Sequence, residues 1–213
     1  MKFDVNDINI HGISIVDEPA TGKDRTVKGF VSFNKDKVKT DIKFYRTKEE
    51  RMLYGIVLSP YDIVEKNIKG EKVGIICYPE DIVEFSINFM DKGYHHNSSF
   101  NHEGGWLNGI TICHSWIVND NKCDTSIGLG LSPKKGEWIV GMKISKEIND
   151  EFIKTGIVNG FSIDGLFDNM IPVDEETYNR DRQAFQNEIL FKSFKTSNFK
   201  MIFKNKKINK NNE

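Results

Sequence analysis

The residues of this chain that could do chemistry are a serine set among glycines and a scattered group of histidines. Gly160-Phe161-Ser162-Ile163-Asp164-Gly165 carries a hydroxyl between small neighbours, which lets another backbone come close. A serine becomes a nucleophile at neutral pH only when a base takes its proton. Imidazole is the usual base, because its ordinary pKa of about 6.5 lies near working pH. His102, in the polar loop Asn97-Ser98-Ser99-Phe100-Asn101-His102-Glu103-Gly104-Gly105, is the candidate base. His114 is the candidate third member. It shares one face of an alternating stretch with Ile110, Ile112, Trp116 and Val118, while Thr111, Cys113, Ser115 and Ile117 share the other. A buried imidazole there needs a hydrogen-bond partner. It could orient His102 and stabilise its cation, as the acid of a triad does. Each residue also has a plainer reading: Ser162 as a strand or turn residue, His102 as a surface turn, His114 as a satisfied core histidine.

Other polar groups point less firmly to a site. The G-x-S-x-G elbow of α/β-hydrolases would need glycine where Asp164 stands, and no helix follows, so a small esterase is the weakest reading. His95-His96 is a tempting metal pair, but neighbours in an extended chain point to opposite sides. Glu103 and Arg180-Asp181-Arg182 read as solvated charges.

The elements that must position these groups are mostly short strands. Thr26–Phe33 and Val38–Phe44 read as a hairpin across Asn34–Lys37, and Tyr54–Leu58 as a buried strand stopped by Ser59-Pro60. Pro79-Glu80-Asp81 opens a helix, with acids at its positive end. Val83, Ile87 and Met90 recur at helical spacing, Ile82, Phe85 and Phe89 widen the face, and Gly93 ends it. A second helix reads from Lys146 to Thr155, with Ile148 and Phe152 on one face. Trp138–Ile144 and Ile157–Ile163 are further strands, the latter carrying Ser162. The pattern predicts an α+β fold with a mainly antiparallel sheet or β-barrel and surrounding helices.

Composition sets the bounds. The chain has 213 residues, 38% hydrophobic, with 15 Phe, enough for one core. A net charge of −1 gives no general argument for nucleic acid or an acidic membrane. No apolar run approaches the roughly 20 residues that span a bilayer. The N-terminus is too acidic for a secretory signal. Three cysteines without CxxC spacing argue against a disulfide framework and for a reducing, intracellular setting. No cofactor is indicated. Residues 1–190 read as one domain. Residues 191–213 are a basic, low-complexity tail, a solvated extension or a docking arm for an acidic scaffold or nucleic acid.

Taken in order, several segments resemble the XkdF-like phage serine peptidases, relatives of the tailed-phage prohead maturation proteases. Tyr54-Gly55-Ile56-Val57-Leu58-Ser59-Pro60 resembles their "yGvVLeP" opening, and Tyr78–Met90 their next helix. Asn101-His102 stands at the "mH" of the catalytic histidine, and Cys113-His114-Ser115-Trp116-Ile117 at "v-E-S-y-i". Lys135–Ile144 resembles "kGsWvvgvkv", and Thr155–Gly165 the "sGeitGFSIgG" that holds the nucleophile. The likeness is strongest over residues 50–166. Ile13-Ser14-Ile15-Val16-Asp17-Glu18-Pro19-Ala20 is similar to "iSlVdePA", which in many relatives follows the serine. Here it leads, as a permuted edge strand would.

The resemblance implies an assemblin-like barrel and a prohead endopeptidase that cleaves scaffold and major capsid proteins during head assembly in the host cytoplasm. Homodimerisation is an open option, as in assemblins. Ser162 would be the nucleophile and His102 the base. His114, where the family commonly has Glu, would complete a Ser-His-His set, with Asp164, Glu188 and His11 as the other candidates. Asp164 replaces a family glycine, and a carboxylate beside the developing oxyanion would oppose it. The competing reading is an inactive member of the fold serving as a head-assembly module.

Overall fold

The computed structural model describes residues 2–3, 8–17, 51–68, 71–158, 160–167 and 170–189. The chain divides into two units, Met1–Pro172 and Val173–Glu213. The expected strands Thr26–Phe33 and Val38–Phe44 and the tail of residues 191–213 lie outside the described residues.

In the first unit the strands are β1 (Lys2–Phe3), β2 (Ile8–Val16), β3 (Met52–Leu58), β4 (Ile63–Ile68), β5 (Glu71–Ile76), β6 (Ile110–Ile117), β7 (Trp138–Ile144), β8 (Gly160–Phe167) and β9 (Met170–Ile171). The helices are α1 (Pro79–Asp91), α2 (Thr125–Gly128) and α3 (Lys146–Ile148). Among the described residues the ladders between these strands are antiparallel: β1 with β9, β2 with β8, β4 with β5, and a three-stranded sheet in the order β3-β7-β6. The architecture is thus mixed helix and antiparallel sheet, as expected. No ladder among the described residues closes a barrel. In the second unit a helix, α4, covers residues 175–189. Among the described residues no helix is long and apolar enough to cross a membrane.

One apolar cluster organises the first unit. Ile13 and Ile15 of β2, Leu53 and Leu58 of β3, Val140 and Met142 of β7, and Phe161 and Ile163 of β8 meet Phe85 and Phe89 of α1. Trp138 is fully buried at its centre, edge-on to Phe89 with ring centroids 5.7 Å apart. Its indole N–H donates to Ser115 Oγ at 2.9 Å, so the largest core side chain brings no unpaired polar group inside.

Three expectations change here. In α1 the buried stripe is Ile82, Phe85 and Phe89, while Val83, Ile87 and Met90 are exposed. The two apolar stripes lie about one residue apart around the helix, and the one with two phenylalanines buries more area. The buried Asp81 turns inward with them and accepts from Tyr78 N–H at 2.9 Å, capping the first turn.

In β6 the pairing with β7 slips between Ile112 and His114, which makes Cys113 a bulge residue. Before the bulge Ile110 and Ile112 face the core. After it Ser115 and Ile117 do, and His114 turns outward, exposed rather than buried. An uninterrupted alternation could not anticipate this. The helix expected from Lys146 to Thr155 begins as one α-turn and continues as a π-turn, Asn149–Ile153, with Lys154 N–H on Asn149 O at 2.9 Å.

The assignment of α1 is checked by urea denaturation. Phe85→Ala should cost about 3–5 kcal/mol of stability, whereas Ile87→Ser should stay within about 0.5 kcal/mol of the parent. Comparable losses in both variants would mean that the helix packs by the other face.

Candidate active site

The site begins with the alternation of β8. Phe161 and Ile163 point into the core, so Ser162 and Asp164 point to the opposite face. β2 lies antiparallel alongside, with Ser14 directly across from Ser162 and Gly12 across from Asp164. Ile13 and Ile15 take the core side of β2, which puts Gly12 and Ser14 on the same face as Ser162 and Asp164.

The other edge of β2 is covered by the loop that contains His102. Ile13 N–H donates to Asn97 O at 3.0 Å, Ile15 N–H to Ser99 O at 3.0 Å, and Asn101 N–H to Ile15 O at 3.1 Å. Among the described residues β2 has β8 as its one strand neighbour, as an edge strand would, and the loop covers its other side over this stretch. The loop then reverses. Glu103 N–H closes on Phe100 O at 3.0 Å, with Asn101 at φ 52° and His102 at φ 64°. Positive φ at both central residues defines a type I′ turn. Asparagine and histidine are among the non-glycine residues that tolerate it best. Asn101 anchors the turn by accepting from Asp17 N–H at 3.0 Å.

This reversal carries His102 back to the Ser162 face. Its Nδ1 lies 2.5 Å from Asp164 Oδ1. The imidazole is 37% exposed and the carboxylate 14%. The other carboxylate oxygen, Oδ2, accepts from Ser14 Oγ–H. Ser14 Oγ also lies 2.7 Å from Ser99 Oγ and accepts from Ser99 N–H at 3.1 Å. Ser14, Ser99 and Ser162 are all buried. Asp164, read both as a charge opposing the oxyanion and as one of the alternative third members, has its carboxylate engaged with His102 and Ser14.

Trp106 forms a wall next to this group. A Cβ on Gly12 would lie 2.7 Å from the indole Cη2, so glycine is required for the ring to cross β2 opposite Asp164. The indole remains 45% exposed, and His11 meets it edge-on at 5.9 Å.

His114 sits elsewhere. Its Nδ1 is 3.1 Å from Tyr54 Oη, and the rings stack at 13° with centroids 5.7 Å apart. The pair closes over Gly141 of β7 and lines a cavity of about 490 Å³ with Trp116, Thr125 and Leu129. The partner of His102 Nδ1 is thus Asp164, where His114 had been expected. Of the other candidates, the ring of His11 takes Asn9 O at 3.3 Å, and Glu188 lies on α4 in the second unit.

His95 and His96 share a 3₁₀ turn, Tyr94–His96, with ring centroids 4.3 Å apart, rather than an extended segment. Among the described residues no group of three His, Cys, Asp or Glu is arranged to hold a metal. Arg180 is paired with Asp181 at 3.0 Å, which raises the guanidinium pKa further.

Sequence reasoning passed over Ser14, Ser99 and Trp106. Ser14 had a signal, since it lies in the Ile13–Ala20 motif. Ser99 and Trp106 had none in one dimension.

A serine, an imidazole and a carboxylate on one sheet face are the residue set of a serine-hydrolase site. Residues 38–170, more than half of the chain, match the family model described as "Putative phage serine protease XkdF". The chain belongs to that family. No curated protein and no solved structure matches the chain.

The cysteines lie outside this set. Burial pushes the Cys77 thiol pKa far up, and the Asp81 carboxylate adds to it, whereas Cys113 and Cys123 are exposed. Because the thiolate is the reactive form, a thiol-specific disulfide reagent at pH 8 should modify Cys113 and Cys123 in the folded protein. Cys77 should react only after unfolding. Peptide mapping of the modified protein checks the order, and early modification of Cys77 would contradict its placement.

Proposed function

We propose that this chain is a prohead serine endopeptidase whose nucleophile is Ser162, whose general base is His102 and whose third member is Asp164. The observation that carries the reading is the 2.5 Å approach of His102 Nδ1 to a carboxylate two residues beyond Ser162 on the same strand face. Residues i and i+2 of a strand are about 6.6–6.8 Å apart. An imidazole hydrogen-bonded at both nitrogens bridges a gap of about that size. With Nδ1 held by Asp164, Nε2 is the nitrogen that would take the Ser162 proton.

In the reaction, Ser162 Oγ adds to the scissile carbonyl as its proton passes to His102 Nε2. The tetrahedral intermediate collapses, His102 gives that proton to the leaving amine, and an acyl-enzyme remains. Water, deprotonated by His102, then releases the acid and restores the serine. Asp164 fixes the tautomer and stabilises the imidazolium. Backbone N–H groups of the Gly160–Gly165 segment would receive the oxyanion. His114 has no step here.

Family membership supports scaffold and major capsid chains as the substrates, acted on within the assembling head in the host cytoplasm. The shared core of β2, β3, β6, β7, β8 and α1 is compatible with an assemblin-like barrel.

The experiment is co-expression with scaffold and capsid protein, read by gel and mass spectrometry, alongside labelling by a fluorophosphonate. Ser162→Ala should fold, take no label and leave the chains uncut. Asp164→Asn should slow cleavage by about 10³–10⁴-fold, and His114→Ala should stay within a few-fold of the parent. Normal processing by Ser162→Ala would remove the serine from the mechanism and favour a structural module.

A further inference from the structure

We infer that Ser14 and Ser99 are positioning residues, a one-way hydrogen-bond chain that holds Asp164 as a carboxylate aimed at His102; this rests on the reading of His102 and Asp164 as base and orienting acid.

The direction follows from counting protons. Ser14 has one hydroxyl hydrogen, and it goes to Asp164 Oδ2. Ser99 N–H donates to Ser14 Oγ at 3.1 Å, which takes one of its two lone pairs. The 2.7 Å contact between the two hydroxyls must then have Ser99 as donor, filling the second lone pair. Ser14 is left saturated, with two bonds accepted and one donated. Asp164 accepts at both oxygens, from Ser14 at one and from His102 Nδ1–H at the other.

Burial makes this arrangement costly to break. Ser14 is 0% exposed and Ser99 3%, so no bulk water stands ready to replace a lost partner. Both are held by backbone as well. Ser14 is fixed in the β2–β8 register, and Ser99 O accepts from Ile15 N–H at 3.0 Å. The chain thus ties the carboxylate to β2, the strand paired with that of Ser162, and to the loop that carries His102.

The test uses the full chain with ¹⁵N-labelled histidine. It reads the low-field Nδ1–H proton resonance of His102 and the rate of fluorophosphonate labelling at Ser162. Ser14→Ala should shift the resonance upfield or lose it to exchange, and slow labelling by at least about 10-fold. Ser14→Thr, which keeps the hydroxyl, should restore both to within about 3-fold. Ser99→Ala leaves the Ser99 N–H in place and should cost about 2–5-fold; it also serves as the probe if Ser14→Ala fails to fold. A His102 resonance unchanged in Ser14→Ala, or a Ser14→Thr variant as impaired as Ser14→Ala, would overturn the inference. If the parent takes no label at Ser162, the proposed function falls. The positioning chain is then judged by the resonance alone, which either follows the Ser14 hydroxyl or refutes it.

Discussion

The antiparallel register of β2 against β8 is the constraint on which the site depends. It places Ser14 opposite Ser162 and Gly12 opposite Asp164. A slip of one residue would exchange the faces, sending Ser162 and Asp164 into the apolar cluster and Phe161 and Ile163 out of it. Burial of Ile13, Ile15, Phe161 and Ile163 therefore holds the polar face in place. The residues that keep Ser162 and Asp164 aligned are largely the apolar ones behind them.

β2 also connects the two halves of the proposed machinery. One edge pairs with the strand of Ser162, and the other with the loop of His102. The I′ turn at Asn101-His102 supplies the reversal, and two non-glycine residues at positive φ carry a local conformational cost. The bonds of Asn101 to Ile15 and Asp17 offset it. The ends of β2 therefore tune the placement of His102 as directly as its own loop does.

Much of this was legible in the sequence. The strand Trp138–Ile144, the entry and stop of α1, and the ordered motifs of the family could all be read from local pattern. Two of the misreadings share one cause, an offset that local periodicity does not reveal. The Cys113 bulge inverts the second half of β6 and takes His114 to the outer face. One step of rotation around α1 exchanges the exposed and buried stripes. Both are decided by tertiary packing. The partnership of His102 with Asp164 required a long-range pairing through Ile8–Val16, a strand visible only as a motif.

The position of Asp164 bears on how such a site can vary. β6 carries His114 turned outward onto Tyr54. In the proposed site the carboxylate beside His102 comes from β8, two residues past Ser162. That location has a consequence. An acid on the nucleophile's own strand moves with it, so the Ser162–Asp164 spacing is set by one stretch of extended backbone rather than by packing between sheets. Only His102 must then be delivered from elsewhere. Its alignment is shared by the turn beneath it, the carboxylate beside it and the Ser14–Ser99 pair behind that carboxylate. The residue that looked most hostile to an oxyanion is the one that holds the imidazole.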